Sequence, residues 1–378
     1  MKMLAMVVAV LLIVSVLVDA FEVVLLPRRI RHSYRLARLF YRSAWVIWRT
    51  IARVFPRGGW RQGFLSIFGP LSLFALVVLW ASGLITGFGL LYWSQSMAST
   101  NTDGRLLDYF YFSGATFFTL GYGDLVPTAP FGRAVSVAEA GLGFVFLAVI
   151  VSYVPVLYQA FSRREIAISM LDARAGSPPS AGELLRRLGG DNLNRVDQFL
   201  VEWEAWCAEL LESHLSFPLL SYYRSQHGNQ SWVAALTMIL DTSSVLVADI
   251  DATHNYQARL TFAAARHAAV DLSLMVMSRP SSVVSERLTY SDYLRLRESL
   301  RHAKLPLRES SQSRSALTEL RGLYEPFVNA LAMHFEFELP PFKRSEPPVD
   351  NWQTSAWQPR SPGFLGLADG GGDDDHFG

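Results

Sequence analysis

The sequence predicts an all-α membrane protein that carries a second, helical part outside the membrane. Composition is the first reason: of 378 residues, 51% are hydrophobic and only 18% charged. The second is a set of three apolar segments, Leu4–Leu26, Pro70–Trp93 and Phe131–Phe161. Each is long enough to cross a hydrocarbon core of about 30 Å as a helix. The third is the stretch 162–340, which shows helical spacing and no alternating strand series. A formal net charge of +1 gives no global bias toward nucleic acid. Cys207 is the only cysteine, which rules out an intrachain disulfide and a cysteine-based zinc cluster.

Taken in order, residues 1–27 read as a transmembrane anchor. Lys2, an apolar run and then Val18-Asp19-Ala20 also fit the layout of a signal peptide. Ten arginines and no acid follow between Arg28 and Arg61, and such a segment stays on the cytoplasmic side. Export after cleavage would place them outside, so a retained anchor is expected. Residues 28–62 read as a basic amphipathic helix. Arg28, Arg31, Arg35, Arg38, Arg42, Arg49 and Arg53 share one stripe, opposite Leu36, Ala37, Phe40, Tyr41, Ala44, Ile47, Trp48, Ile51 and Phe55. That pattern suits a helix lying on the inner leaflet against anionic headgroups. Packing on the C-terminal half is the alternative. A voltage sensor fits less well, because it needs a bundle of membrane helices with acidic partners. Pro56 and Gly58-Gly59 then break the chain before the second apolar segment.

Between the second and third apolar segments lies Thr119-Leu120-Gly121-Tyr122-Gly123-Asp124. Its glycines permit backbone conformations closed to other residues, so successive carbonyls can line one path. Arg105–Phe118, just before it, is aromatic and too short to span. The T-x-G-Y-G-D pattern resembles the selectivity filter of bacterial potassium channels with two membrane helices and one pore loop. The resemblance covers roughly residues 64–161, in the order outer helix, pore helix, filter, inner helix.

That resemblance implies a pore domain over 63–161 and a homotetramer, since one chain supplies one filter strand. Dehydrated K+ would be bound along Thr119, Leu120, Gly121, Tyr122 and Gly123, with the Thr119 hydroxyl toward a cavity. Asp124 would brace the outer mouth. Tyr111 and Phe112 match the family's aromatic pair around the filter, and Thr116 matches a pore-helix position. Ala115 departs from the pattern where some channels carry a glutamate. Glu139, an acid within the third apolar segment, has two readings. It supports the filter from behind near Ser113 or Thr116, or it pairs with an arginine near the membrane surface. Gly132-Arg133 matches the start of the inner helix. Gly143 and Pro155 match hinge and gate positions, with packing and simple bending as the other readings. Phe144, Leu147 and Val151 are expected on the cavity wall. In the outer helix, Gly83-x-x-x-Gly87 is expected to pack on the inner helix, and Tyr92-Trp93 to anchor at the interface.

Residues 162–340 are expected to form a cytoplasmic helical domain, with helices at Asn192–Leu215, Trp232–Val247, Tyr256–Met277, Tyr290–His302 and Ser311–Phe335. Ser180 and Glu183 look like a capping box. No GxGxxG or G-x-S-x-G is present, so neither a nucleotide-binding sheet nor an attached enzyme is expected. His214, His227, Asp249, Asp251, His254, His267 and Asp271 show no metal spacing and read as solvated or core side chains. Residues 341–378 are expected to be a disordered tail. The whole reads as a bacterial, multi-pass inner-membrane potassium channel needing no cofactor beyond the transported ion. A poorly selective cation channel and a non-conducting membrane sensor or scaffold are the alternatives.

Overall fold

The computed structural model describes residues 1–24, 36–56, 58–97, 105–189, 193–226, 230–250, 255–276, 286–308 and 311–343. Arg28, Arg31, Arg35, His227, Asp251, His254 and the expected tail from 344 onward lie outside the described residues. The chain divides into two compact units, Met1–Gln159 and a second from Ala160 onward.

The first unit holds α1 (Lys2–Val24), α2 (Leu36–Ala52), α3 (Gly59–Gln95), α4 (Leu106–Phe117) and most of α5 (Pro130–Ser169). By length and hydropathy α1, α3 and α5 can cross a membrane. Gly58, at φ 144°, ends the connection from α2 in a conformation open to glycine, and α3 starts there, eleven residues before the expected Pro70. Proline at position 70 is accommodated inside α3.

The expected partner of the outer helix is corrected. A Cβ on Gly83 would meet Val16 at 2.9 Å, and one on Gly87 would meet Ile13 at 2.6 Å. The small residues therefore admit α1, not α5. Gly89 admits Phe110 of the pore helix α4. Asp19, part of the cleavage-like triplet in the sequence, is a buried tie. Its carboxylate accepts the Trp80 indole N–H at 2.8 Å and the Ala37 amide at 3.1 Å. That amide lies in the first turn of α2, where a negative charge satisfies orphan N–H groups. Trp48 stacks on Phe64 at 4.4 Å and Trp45 meets Phe68 at 4.9 Å, so α2 is fixed along the start of α3. Arg38 and Arg42 stay exposed, as do Leu39, Val46 and Ile47.

The second unit begins with the end of α5, which continues to Ser169, eight residues past the expected Phe161. It continues through α6 (Leu171–Ala175), α7 (Ala181–Leu188), α8 (Asn194–Ser216), a 3-10 turn (Pro218–Tyr222), α9 (Trp232–Asp249), α10 (Asn255–Met275), α11 (Tyr290–His302), α12 (Ser311–Gly322) and α13 (Glu325–Phe335). Ser311–Phe335 is two helices rather than the expected one. Pro326 sits in the first turn of α13, where its missing N–H is tolerated but a continuous helix is not. Ser180 caps α7, yet Glu183 turns to Arg186 and Arg187 instead of closing the box. The reciprocal box forms at Thr289 and Asp292.

The core of this unit is built around α9. This helix is also long and apolar enough to cross a membrane, and 94% of its most apolar stretch is buried within the protein, where a helix hydrophobic all round finds apolar partners. Two buried acids on α9 are each held by an arginine and a tyrosine. Asp241 accepts from Arg287 at 2.5 Å and Tyr324 at 2.5 Å; Asp249 accepts from Arg297 and Tyr293. Burial pushes the Cys207 thiol up, leaving it inert.

Candidate functional site

The pore helix α4 ends in a turn that leads into Thr119–Asp124, the segment expected from the sequence to be the filter. Phe118 N–H bonds Gly114 O at 3.0 Å, Thr119 N–H bonds Thr116 O at 3.0 Å, and Leu120 N–H bonds Ala115 O at 2.8 Å. The last two are the paired bonds of a Schellman cap, with Thr119 in the left-handed position usually given to glycine. Thr119 has φ 54°. A β-branched residue there is rare and strained by about 1–3 kcal/mol. The strain has a geometric product. Gly121 follows at φ 60° and Gly123 at φ 78°, while Leu120 and Tyr122 keep negative φ. Alternating signs of φ turn successive peptide planes in opposite senses, so their carbonyls can share one side.

The segment is open along its length. Tyr122 is 69% exposed and Leu120 52%, and nothing lies within 4 Å of a Cβ placed on Gly121 or Gly123. Apolar side chains this open in a single membrane-spanning chain suit contact with lipid or with another protein surface. Phe144, Leu147 and Val151 on α5 are likewise 70%, 61% and 64% exposed.

Behind the segment the structure is closed. Glu139 is fully buried. Its carboxylate accepts the Tyr92 hydroxyl at 2.6 Å and the Ser113 hydroxyl at 2.5 Å. Ser113 also reaches Ile85 O at 2.9 Å. One acid of α5 thus ties α3 and α4 together one turn before Gly143. Of the two sequence readings of Glu139, the structure places it beside Ser113 on the pore helix. Thr116, the other expected neighbour, is not among its hydrogen-bond partners. Tyr92 was expected at the membrane interface and is instead completely buried, 4.9 Å from Phe112. Its role could not be read from Tyr92-Trp93 alone, because only the fold reveals which aromatic meets the acid.

Tyr111, on the exposed side of α4, hydrogen-bonds Asp124 just past the filter segment. Met97, two residues past α3, receives Thr128 N–H on its carbonyl at 3.2 Å and packs on Gly132, where a Cβ would come within 3.1 Å. Arg133 Nε donates to Pro127 O at 3.3 Å. Gly143 meets the pore helix directly, since a Cβ there would lie 2.0 Å from Phe117 O. The close approach accounts for that glycine by packing. Pro155 lies inside a helix that stays continuous.

The histidine and acid candidates of the second half are dispersed. His214 is buried beside Arg164, and Asp249 beside Arg297. His267 and Asp271 face each other at 4.0 Å on the surface of α10. Among the described residues, no group of three or more such side chains is gathered for a metal ion.

A family model described as ion channel matches residues 73–159, which run from α3 through the filter segment into α5. The uncharacterized membrane protein YdjJ of Bacillus subtilis (strain 168) is 28% identical over 203 residues, 52% of this chain. The chain spans 57% of that relative's length. Protein LctB of Geobacillus stearothermophilus is 38% identical over 96 residues, which cover 22% of this chain and 71% of LctB. LctB of Bacillus caldotenax is 35% identical over a match of the same length and coverage. No solved structure matches the chain significantly. The family match, the LctB likeness and a pore loop held between two apolar helices agree: the chain belongs to the ion-channel family.

Proposed function

We propose that the protein is a potassium-selective channel, built as a homotetramer around the filter strand Thr119–Gly123. One observation carries the reading: the alternation of φ at Thr119, Gly121 and Gly123 in a strand left open on the single chain. Four such strands would surround a path of carbonyls from Thr119, Leu120, Gly121 and Tyr122 that replaces the hydration shell of K+. The Thr119 hydroxyl would face a cavity walled by Phe144, Leu147 and Val151. Asp124, held by Tyr111, would add negative charge at the outer mouth. The α4 C-terminus would favour a cation below the filter. The arginine stripe of α2 would meet anionic headgroups at the cytoplasmic surface, and the second unit would be cytoplasmic and set the gating.

The test is ion flux from purified protein in liposomes, followed by reversal potentials in mixed K+ and Na+. A strongly K+-biased reversal potential is expected. Gly121→Ala or Gly123→Ala should abolish flux. No neighbour would clash with the new methyl, so the loss would come from denying the backbone its left-handed conformation, at about 1–2 kcal/mol per residue. A reversal potential indifferent to the K+ gradient would make the protein a poorly selective cation channel. Absence of flux would make it a membrane sensor or scaffold that keeps the pore fold.

A further inference from the structure

The end of α5 carries two adjacent arginines with opposite fates. Arg163 is exposed and pairs with Glu209 at the surface, 2.8 Å away. Arg164 is buried, and its guanidinium is almost fully used. Nη1 donates to Leu220 O at 2.9 Å, Nη2 to Tyr223 O at 2.8 Å, and Nε to Glu165 Oε1 at 2.9 Å. The other oxygen of Glu165 accepts the Ser225 hydroxyl at 2.5 Å. His214 of α8 completes the set. Its Nδ1 lies 2.8 Å from Leu210 O, which can only accept, so Nδ1 carries the proton. Nε2 is then an acceptor facing Arg164 Nη1 at 3.3 Å. The Phe161 ring covers the guanidinium from 5.2 Å.

A buried cation is costly, and this one is placed where it grips main chain rather than a lone carboxylate. Both carbonyls belong to the 3-10 turn and the residue after it, so the planar fork fixes that segment to the helix in one orientation. The same helix carries Gly143 and Pro155. A shift of the segment Leu220–Ser225, the end of the 3-10 turn and the irregular chain after it, must therefore either move the end of α5 or break several charge-assisted hydrogen bonds at once.

We propose that Arg164 is the positioning residue through which the second unit controls the conducting state of the pore-lining helix. The inference rests on the channel reading above and names the contact by which gating would be transmitted.

The test uses full-length protein in planar bilayers under symmetric K+. Arg164→Gln removes the fork, and Arg164→Lys keeps the charge without it. Both are expected to change open probability by between about 5- and 150-fold, the usual span of a coupling between sites, with unitary conductance and reversal potential as in the wild type. Ser225→Ala, which loosens only Glu165, should change it less and in the same direction. Arg163→Gln should leave it unchanged. A merely structural role would lower the melting temperature and leave the open probability of folded channels alone. Should Arg164→Gln not fold, Ser225→Ala decides: wild-type open probability in that variant overturns the coupling. Wild-type open probability in folded Arg164→Gln and Arg164→Lys channels overturns it too, and the channel reading stands. If the wild-type protein passes no ions, the channel reading falls first and the coupling with it.

Discussion

Glu139 concentrates the chemistry of the first unit in one side chain, because an acid buried in an apolar segment is stable only if its oxygens are satisfied. Here two hydroxyls satisfy them, one from the outer helix and one from the pore helix. Glu139→Gln replaces one acceptor oxygen by a donor that neither hydroxyl can pair with unchanged. We expect a loss of about 1–3 kcal/mol in detergent unfolding and altered inactivation kinetics, with Tyr92→Phe nearer 1 kcal/mol. Wild-type inactivation in the glutamine variant would remove Glu139 from filter support. His214 gives a pH-dependent prediction in the second unit. Burial first, and then the Arg164 charge, hold its pKa well below 6.5. The unfolded chain's imidazole takes a proton near pH 6.5 while the folded one refuses it until well below. Stability present above about pH 6.5 is therefore lost as the pH falls, by up to about 1.4 kcal/mol per unit. Denaturation midpoints between pH 8 and pH 5 should fall less in His214→Gln than in the wild type. Burial raises Asp249 and Glu325 in both proteins, so their opposite contribution cancels in the comparison.

Helices meet at their glycines, and Gly141 and Gly143 form a natural control pair on α5. A methyl at Gly143 would run into the backbone of Phe117, whereas nothing lies within 4 Å of one at Gly141. Gly141→Ala should therefore be neutral or stabilising by up to about 1 kcal/mol from helix propensity alone. Gly143→Ala should push α5 off the end of the pore helix, lowering flux and the yield of assembled protein on size-exclusion chromatography. Equal behaviour of the two variants would argue against packing as the reason for Gly143. The spans, the pore helix and its position before the glycines were legible because length, hydropathy and motif order are local properties. Partner choice was not. Gly83 and Gly87 announce a close contact, but only the fold shows that α1 fills it. Asp19 likewise looks like part of a cleavage site until Trp80 and Ala37 are brought to it. The φ signs at Gly121 and Gly123 were foreseeable from residue type, whereas the left-handed Thr119 follows from how α4 terminates.

On the scale of the whole molecule, the units have separate cores. Leu76, Trp80 and Leu84 anchor one, with a second aromatic cluster at Phe88, Tyr92 and Phe112. The second unit's core gathers α9 with Trp232, Leu236 and Leu240 among its fully enclosed residues. Distinct cores predict distinct unfolding transitions, so a single two-state description should fail for the intact chain. The buried Asp241–Arg287 pair can separate them. Asp241→Ala strands Arg287, which is then left with Glu325 at 3.4 Å and the Pro340 carbonyl in a site made for a second carboxylate. Breaking such a pair costs about 3–5 kcal/mol, whereas exchanging both members for apolar residues is often close to neutral. Asp241→Ala should thus lower one denaturant transition and leave the other in place, while Asp241→Leu with Arg287→Met restores much of the loss. Gly121→Ala should do the reverse, abolishing flux while leaving the second unit's transition at its wild-type midpoint. A single transition displaced as a whole by Asp241→Ala would show that the two cores unfold as one cooperative body. The pore would then owe its stability directly to a charge pair buried beside α9.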